Sequence, residues 1–529
     1  MGKGNWARGA LRWAAGVGVA LAIGAQGAMA QQVTLTSFDG SITLRGDLLD
    51  FDGESYRIGT AIGEISIDAF QVSCDGDACP APELLTSEFA LVGSATLGAE
   101  LMPALIEAYA FALDADIGES TMSADGSTQL MIQDLEGRDL ADVTVASLGS
   151  SAGFAALLEG SADIAMSSRT VRQRELDVFE NSGLGTLNAP GQENIIGLDG
   201  LIGIVSRSNP VRAISIQNLA GLFSGRIQNW AEVGGPDAPV NVYVRDASSG
   251  TRQVFDQLVL EPFGLTVTPA AQVYESNAEV SDAVASDPFG IGFTGFAYER
   301  NARAIGIQEV CGIITPPTPF AIKAEEYPLA RRLYLYNTNR ALPPQAESFL
   351  AFIQSDEAQD VIAANGFIDQ ALSTSPMNDQ GLRMTTAMLS AEDGAQLFEL
   401  RQMAAELVNA ERLSTTFRFT PGSSILDVRA QRDAVRLAEF LARGGFENKE
   451  ILVLGFTDSI GRPDLNRALS FRRAQQVLDS VIAAAPAGAL DDIQFNVQGF
   501  GEISPLGCNE TFTGRQINRR VEVWVRERV

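Results

Sequence analysis

Residues 245–252 read RDASSGTR, between the strand-like run VNVYV and the amphipathic stretch QVFDQLVL. An arginine, two serines, a glycine and a threonine where a strand turns into a helix are the parts of an anion trap. The first N–H groups of a helix have no intrahelical partner and carry partial positive charge. Hydroxyls add donors, glycine lets the backbone come close, and Arg245 offers a fork suited to a tetrahedral oxyanion. Two more turns repeat the device. EFALV turns at GSAT (93–96) into the helix pattern of AELMPALIEAYA, and DVTVASL turns at GSSAG (149–153) into FAALLEG. One such turn alone reads as an ordinary cap. Three in one region, one of them carrying an arginine, point to a ligand crevice at the carboxyl ends of strands.

The same composition limits catalysis. The chain has no histidine, which removes Ser–His and Cys–His nucleophiles and His-ligated metal sites. Its only lysines are Lys3, Lys323 and Lys449, none near a serine-rich turn. A hydrolase using Ser249 or Ser150 would lack an acid–base partner, so the expectation is a non-catalytic protein without metal or cofactor. Net charge −28 argues against a nucleic-acid partner.

The elements that must position these turns come in an order. Lys3, Arg8 and Arg12 precede the apolar run WAAGVGVALAIGA (13–25), which is too short to span a bilayer, and Ala28-Met29-Ala30 is a cleavage signal. Residues 1–30 therefore read as a signal peptide, and the mature chain would begin at Gln31. Residues 31–85 are short alternating runs broken by DG turns, a small all-β module with Pro80 and Pro82 as its exit. Cys74 and Cys79 bracket the short loop DGDA, and export favours a disulfide there. Cys311 and Cys508 could pair across domains or both stay free. Residues 86–375 alternate strand and helix patterns, an α/β region. Residues 373–381 read as a linker, 391–413 as a helix, and 414–529 as strand, helix, strand, helix, strand, strand.

Residues 199–260, with LFSGRIQNW followed by SGTR, resemble the periplasmic phosphate-binding proteins of ABC transporters. GSSAGFAALLEGSADIAMSS (149–168) and DPFGIGFTGFAY (287–298) are similar to two further segments of that family. The resemblance implies a type II periplasmic-binding fold, two α/β lobes closing by a hinge. It implies oxyanion contacts from Thr96, Leu97, Ser150, Ser168, Arg245, Ser249, Gly250 and Thr251. The family usually has Asp where Ser168 stands and often Asp where Ala247 stands, so strict phosphate selectivity does not carry over. Asp246 could replace the latter, although neighbouring strand positions point oppositely. Arg169 either adds positive field or is a solvated side chain.

TDSIGRPDLNRALSFRRAQQV (457–477), then GFGEISPLG and NRRVEVWV, is similar to the OmpA-like peptidoglycan-binding domain, a βαβαββ fold. That resemblance implies diaminopimelate as ligand, its ammonium on Asp458 and its carboxylate on Arg473. Thr457, Gly461, Asn466 and Leu469 would shape the site, with Arg519 and Arg520 either supporting it or lying on the strand surface. Together the resemblances imply a multi-domain α/β and α+β protein of the periplasm, associated with peptidoglycan and the outer membrane. It would capture phosphate or a similar oxyanion and could feed an ABC permease. The alternative is a wall-anchored scaffold or sensor whose binding fold has lost or changed its ligand.

Overall fold

The computed structural model describes residues 32–37, 42–51, 55–60, 63–69, 72–76, 78–79, 86–99, 101–123, 126–389, 391, 393–446 and 448–528. The targeting segment, both DG turns and the two exit prolines lie outside the described residues. Two compact units divide the chain, 1–85 and 86–529. Among the described residues no helix is long and apolar enough to cross a membrane.

The first unit is an antiparallel five-stranded sheet. Alternation along Gln32–Ser37 and Ser55–Thr60 sends Val33, Leu35, Tyr56 and Ile58 to one buried face. A Cys74–Cys79 disulfide closes the end of its edge strand Val72–Asp75.

In the second unit one mixed sheet of eleven strands runs through two lobes. In the first lobe, Ser87–Gly93 lies between Ile164–Ser167 and Asp139–Ala146, parallel to both. In the second, Asn241–Arg245 runs parallel to Gly290–Gly295. Strands buried on both faces need near-continuous apolar sequence, and Gly290–Gly295 is buried throughout. Two long strands cross between the lobes. Glu193–Val205 pairs with Ala330–Tyr336 from Glu193↔Tyr336 to Gly200↔Ala330, then with Gly290–Gly295 from Leu201↔Gly295 onward. Each lobe has its own core: Leu91, Leu105, Ile132 and Leu335 in the first, and Ile204, Phe223, Phe255 and Phe293 in the second. Burying each such side chain stabilises by roughly 1.5–3 kcal/mol.

The C-terminal domain is a five-stranded sheet in the order Thr374–Pro376, Glu411–Arg418, Arg520–Glu527, Lys449–Gly455, Gln494–Gly499. Helices Val428–Ala442 and Pro463–Ala484 cover one face, burying Leu437, Leu441, Val477 and Val481. The segment expected as a linker behaves otherwise. Thr374–Pro376 is its edge strand, where a proline is tolerated because no partner needs its missing N–H. The single helix expected over 391–413 is shorter, Gly394–Glu406, and a second helix, Gly381–Leu389, precedes it. Met384, Leu400 and Met403 cover the sheet's other face against Leu452, Leu454 and Trp524. A short helix, Phe512–Asn518, also interrupts the last two strands, where Thr511 Oγ1 accepts from Gly514 N. Cys311 and Cys508 form a disulfide between the second lobe and this domain.

Candidate functional site

The three hydroxyl-rich turns all leave carboxyl ends of strands and meet between the lobes. Ser94 precedes helix Ala95–Gly98, Gly149 precedes Ser150–Glu159, and Ser249 precedes Gly250–Phe255. Neither Ser94 nor Gly149 caps its helix through a side chain. Gly149 adopts φ +94, and a Cβ there would collide with Ser248 O of the other lobe, so the close approach of the turns needs glycine. A Cβ on Gly250 would strike Ser168 Oγ and lie 2.7 Å from Ser150 Oγ. The lobes touch directly: Thr96 Oγ1 and Thr251 Oγ1 are 2.9 Å apart, and Ser151 Oγ donates to Gln253 Oε1 at 3.2 Å.

Every residue expected at the oxyanion site falls in this cluster. Thr96, Leu97, Ser150, Ser168, Arg245, Ser249, Gly250 and Thr251 are all buried. Ser168 N donates to Ser150 Oγ at 3.2 Å. Arg245 Nη1 donates to Asn277 Oδ1 at 2.9 Å and Nη2 to Asp246 Oδ2 at 3.2 Å. Burial pulls the Arg245 pKa down from its ordinary value while Asp246 holds it up. Within this cluster, four buried side-chain atoms have no hydrogen-bond partner among the described residues: Ser94 Oγ, Ser168 Oγ, Arg245 Nε and Arg331 Nη1. Unpaired buried polar atoms are costly and rare in a finished core, and all four can donate. Such a set suits an anion.

Arg331 and Asp199 were not singled out in the sequence. Arg331 is buried, donates to Asp199 Oδ2 at 2.5 and 3.0 Å, and reaches Thr251 Oγ1 at 3.1 Å. Its charge lies near enough to Arg245 to lower that pKa as well. The signal was Asp199 itself, a lone carboxylate inside the apolar strand Glu193–Val205, which a buried charge occupies only with a partner. Two points the sequence leaves open are answered by the structure. Asp246 does support Arg245: the strand ends at Arg245, so alternation no longer governs the next residue, which folds back and also accepts from Ser248 N and Ser249 N. Arg169 is not solvated. It pairs with Glu175 at 2.7 Å and stacks on Phe154, so Glu175 offsets its field.

The C-terminal cluster forms where strand Lys449–Gly455 leads into helix Pro463–Ala484. Asp458 Oδ2 accepts from Arg519 Nη1 at 2.7 Å. Arg473 is fully buried, donating to Ser423 O at 2.8 Å and Thr420 O at 3.1 Å, with its guanidinium over the Phe419 ring. Its Nη1 has no hydrogen-bond partner among the described residues, nor does Thr457 Oγ1. Burial, with help from Arg519, lowers the Arg473 pKa to about 10. Asn466 Nδ2 donates to Asp458 O at 3.3 Å and Glu502 at 2.7 Å. Gly461, at φ +113, and half-buried Leu469 border the cluster in sequence. Arg520 stands apart, fully buried and paired with Glu522 at 2.6 Å. A carboxylate and a desolvated guanidinium with a free valence can hold a ligand bearing both ammonium and carboxylate.

A family model described as a PBP superfamily domain matches residues 113–357, and the OmpA family model matches 418–519. The phosphate-binding protein PstS of Borreliella burgdorferi is 31% identical over 231 residues, 43% of this chain and 79% of that protein. The phosphate-binding protein PstS of Pseudomonas aeruginosa is 26% identical over 307 residues, 54% of this chain and 92% of that protein. The crystal structure of an ABC-type phosphate transport receptor from Vibrio cholerae aligns at 26% identity and TM-score 0.40, covering 53% of this chain and 99% of that one.

Proposed function

The chain belongs to the phosphate-binding proteins of the PBP superfamily and carries an OmpA-family domain at its C-terminal end, and from that premise we propose that it captures phosphate or a related oxyanion while held on peptidoglycan. The observation that carries the reading is the convergence of unpartnered donors on Ser94, Ser168, Arg245 and Arg331 at the meeting point of the turns. Backbone N–H groups, hydroxyls and two guanidiniums would replace the anion's hydration shell as the lobes close. Asp458 and Arg473 would grip the two ends of diaminopimelate. The place of action is the periplasm, at the wall beneath the outer membrane, and the captured anion could pass to an ABC permease.

A catalytic role has little support. Ser150 Oγ accepts from Ser168 N and Ser249 Oγ accepts from Arg252 N, and among the described residues no base is hydrogen-bonded to either hydroxyl to take its proton. Ser168 and Ala247 favour a second reading, a wall-anchored scaffold or sensor with an altered ligand.

Calorimetric titration decides between them. The chain from Gln31, freed of carried-over anion, is titrated with phosphate and sulfate at pH 6 and pH 8. Tight phosphate binding is expected, and no heat from either anion would leave the scaffold reading. Ser168→Asp adds an acceptor-only carboxylate that takes the proton of hydrogen phosphate and repels sulfate. It should raise the preference for phosphate over sulfate, and an unchanged ratio would refute the role given to Ser168.

A further inference from the structure

The C-terminal domain holds on to both lobes. On the first lobe, Arg432 Nη1 donates to Glu193 O at 2.9 Å, Arg436 donates to Gln370 Oε1, and Arg443 pairs with Asp356 at 3.0 Å. Gln370 is itself tied to that lobe, donating to Ile195 O at 2.9 Å. On the second lobe, Arg418 Nη2 donates to Ala324 O at 2.9 Å and Glu325 O at 2.8 Å, and fully buried Arg412 pairs with Glu326. Beside these, Cys508 is bonded to Cys311 and its N–H donates to Glu309 Oε2 at 2.6 Å.

The covalent connections matter most. The main chain ties the domain to the first lobe, passing from Gln370 into the edge strand Thr374–Pro376. The disulfide ties it to the second lobe across 197 residues of sequence. A single sheet domain is thus fastened on either side of the crossing strands Glu193–Val205 and Ala330–Tyr336. The latter faces it across a cavity of about 700 Å³ lined by Arg331, Arg332 and Tyr334 and by Arg418, Arg429 and Arg519. Lobe opening bends or twists those crossing strands, and the cavity leaves Ala330–Tyr336 room to move. Nothing fastened rigidly to both lobes can permit it without losing contact on one side. The disulfide also keeps the released state close, so detached contacts re-form at high effective concentration.

We infer that the C-terminal domain is a clamp across the hinge, latched by Cys311–Cys508, which restrains lobe opening and so slows anion exchange. The clamp concerns lobe motion, and only its consequence for exchange rests on reading the cleft as a capture site. Wall attachment through this domain and anion release from the cleft would then be mechanically linked.

The test places thioether-linked spin labels at two exposed positions, Glu107→Cys in the first lobe and Arg226→Cys in the second, on the full chain. With the latch intact, one narrow inter-lobe distance is expected with or without phosphate. With Cys311→Ser, Cys508→Ser and Arg432→Ala combined, a longer distance should appear without phosphate. Thiol reduction of the folded latch-intact chain should give the same result and guards against a misfolded variant. A long-distance population in the oxidised latch-intact chain, or a single narrow distance after both treatments, would overturn the clamp. Phosphate release, followed by stopped flow, should be roughly tenfold faster without the latch, and equal rates would sever the link to exchange. If neither form binds phosphate, the capture reading fails while the distances still decide the clamp.

Discussion

Arg245 reaches the meeting point of the lobes with both terminal nitrogens engaged, by Asn277 and Asp246, and its Nε free. Held from behind in this way, the guanidinium needs no reordering when an anion arrives, which is how a single contact becomes strong in a desolvated site. Arg245→Ala should weaken anion binding by at least ~2 kcal/mol, measured by titration calorimetry, and an unchanged affinity would remove Arg245 from the site. Among single residues the hydroxyls and Arg245 were readable, because a turn announces them locally. Arg331 was not readable. It sits in a strand whose sequence, ARRLYLY, gives no sign which arginine turns inward, and its partner Asp199 lies 132 positions away.

Strands ending in Gly–hydroxyl turns and helices opening on them were legible as elements, since each is a short-range pattern. Helix Phe512–Asn518 was not, because its seven residues are too few for a hydrophobic period to declare itself. It carries Asn518, whose side chain accepts from Leu506 N and Gly507 N and fixes the loop ahead of the last strand. The proposed wall-binding element follows the same logic as the proposed anion site: a strand end supplies Asp458 and the next helix supplies Arg473. Asp458→Ala and Arg473→Lys should each lower retention on purified sacculi, with anion affinity unchanged as the check on folding. Full retention by both would reject the pair as the wall clamp.

For the whole molecule, the most exacting feature is the core of the C-terminal domain. Glu522 is fully buried among Arg383 at 2.7 Å, Arg520 at 2.6 Å and Arg412 at 3.5 Å, and accepts from Trp524 Nε1 at 2.9 Å. Burial pushes its pKa up, but the three arginines outweigh it and hold the value well below 4.5. A depressed carboxylate contributes its stability in full above its ordinary pKa, and loses it as pH falls through the native value. The domain should therefore weaken in acid below the usual glutamate range. Glu522→Gln should cost about 3–5 kcal/mol by leaving Arg383 and Arg520 without a carboxylate partner, and its unfolding transition should lose most of that acid dependence. A variant as stable as the parent in denaturant titration would contradict this.

Local pattern was enough to mark the three Gly–hydroxyl turns, whereas Asp458 and Arg473 stood out only through the resemblance to the OmpA-like domain. Each turn depends on residues a few positions apart, where backbone geometry follows directly from side-chain type. The rest depended on distant residues meeting. Pairing of Cys311 with Cys508, the inward turn of Arg331 toward Asp199, and the seating of one domain on both lobes join positions up to 239 residues apart. No periodicity encodes such meetings. They follow from which faces remain to be buried once the sheets have formed, and only the folded chain fixes that.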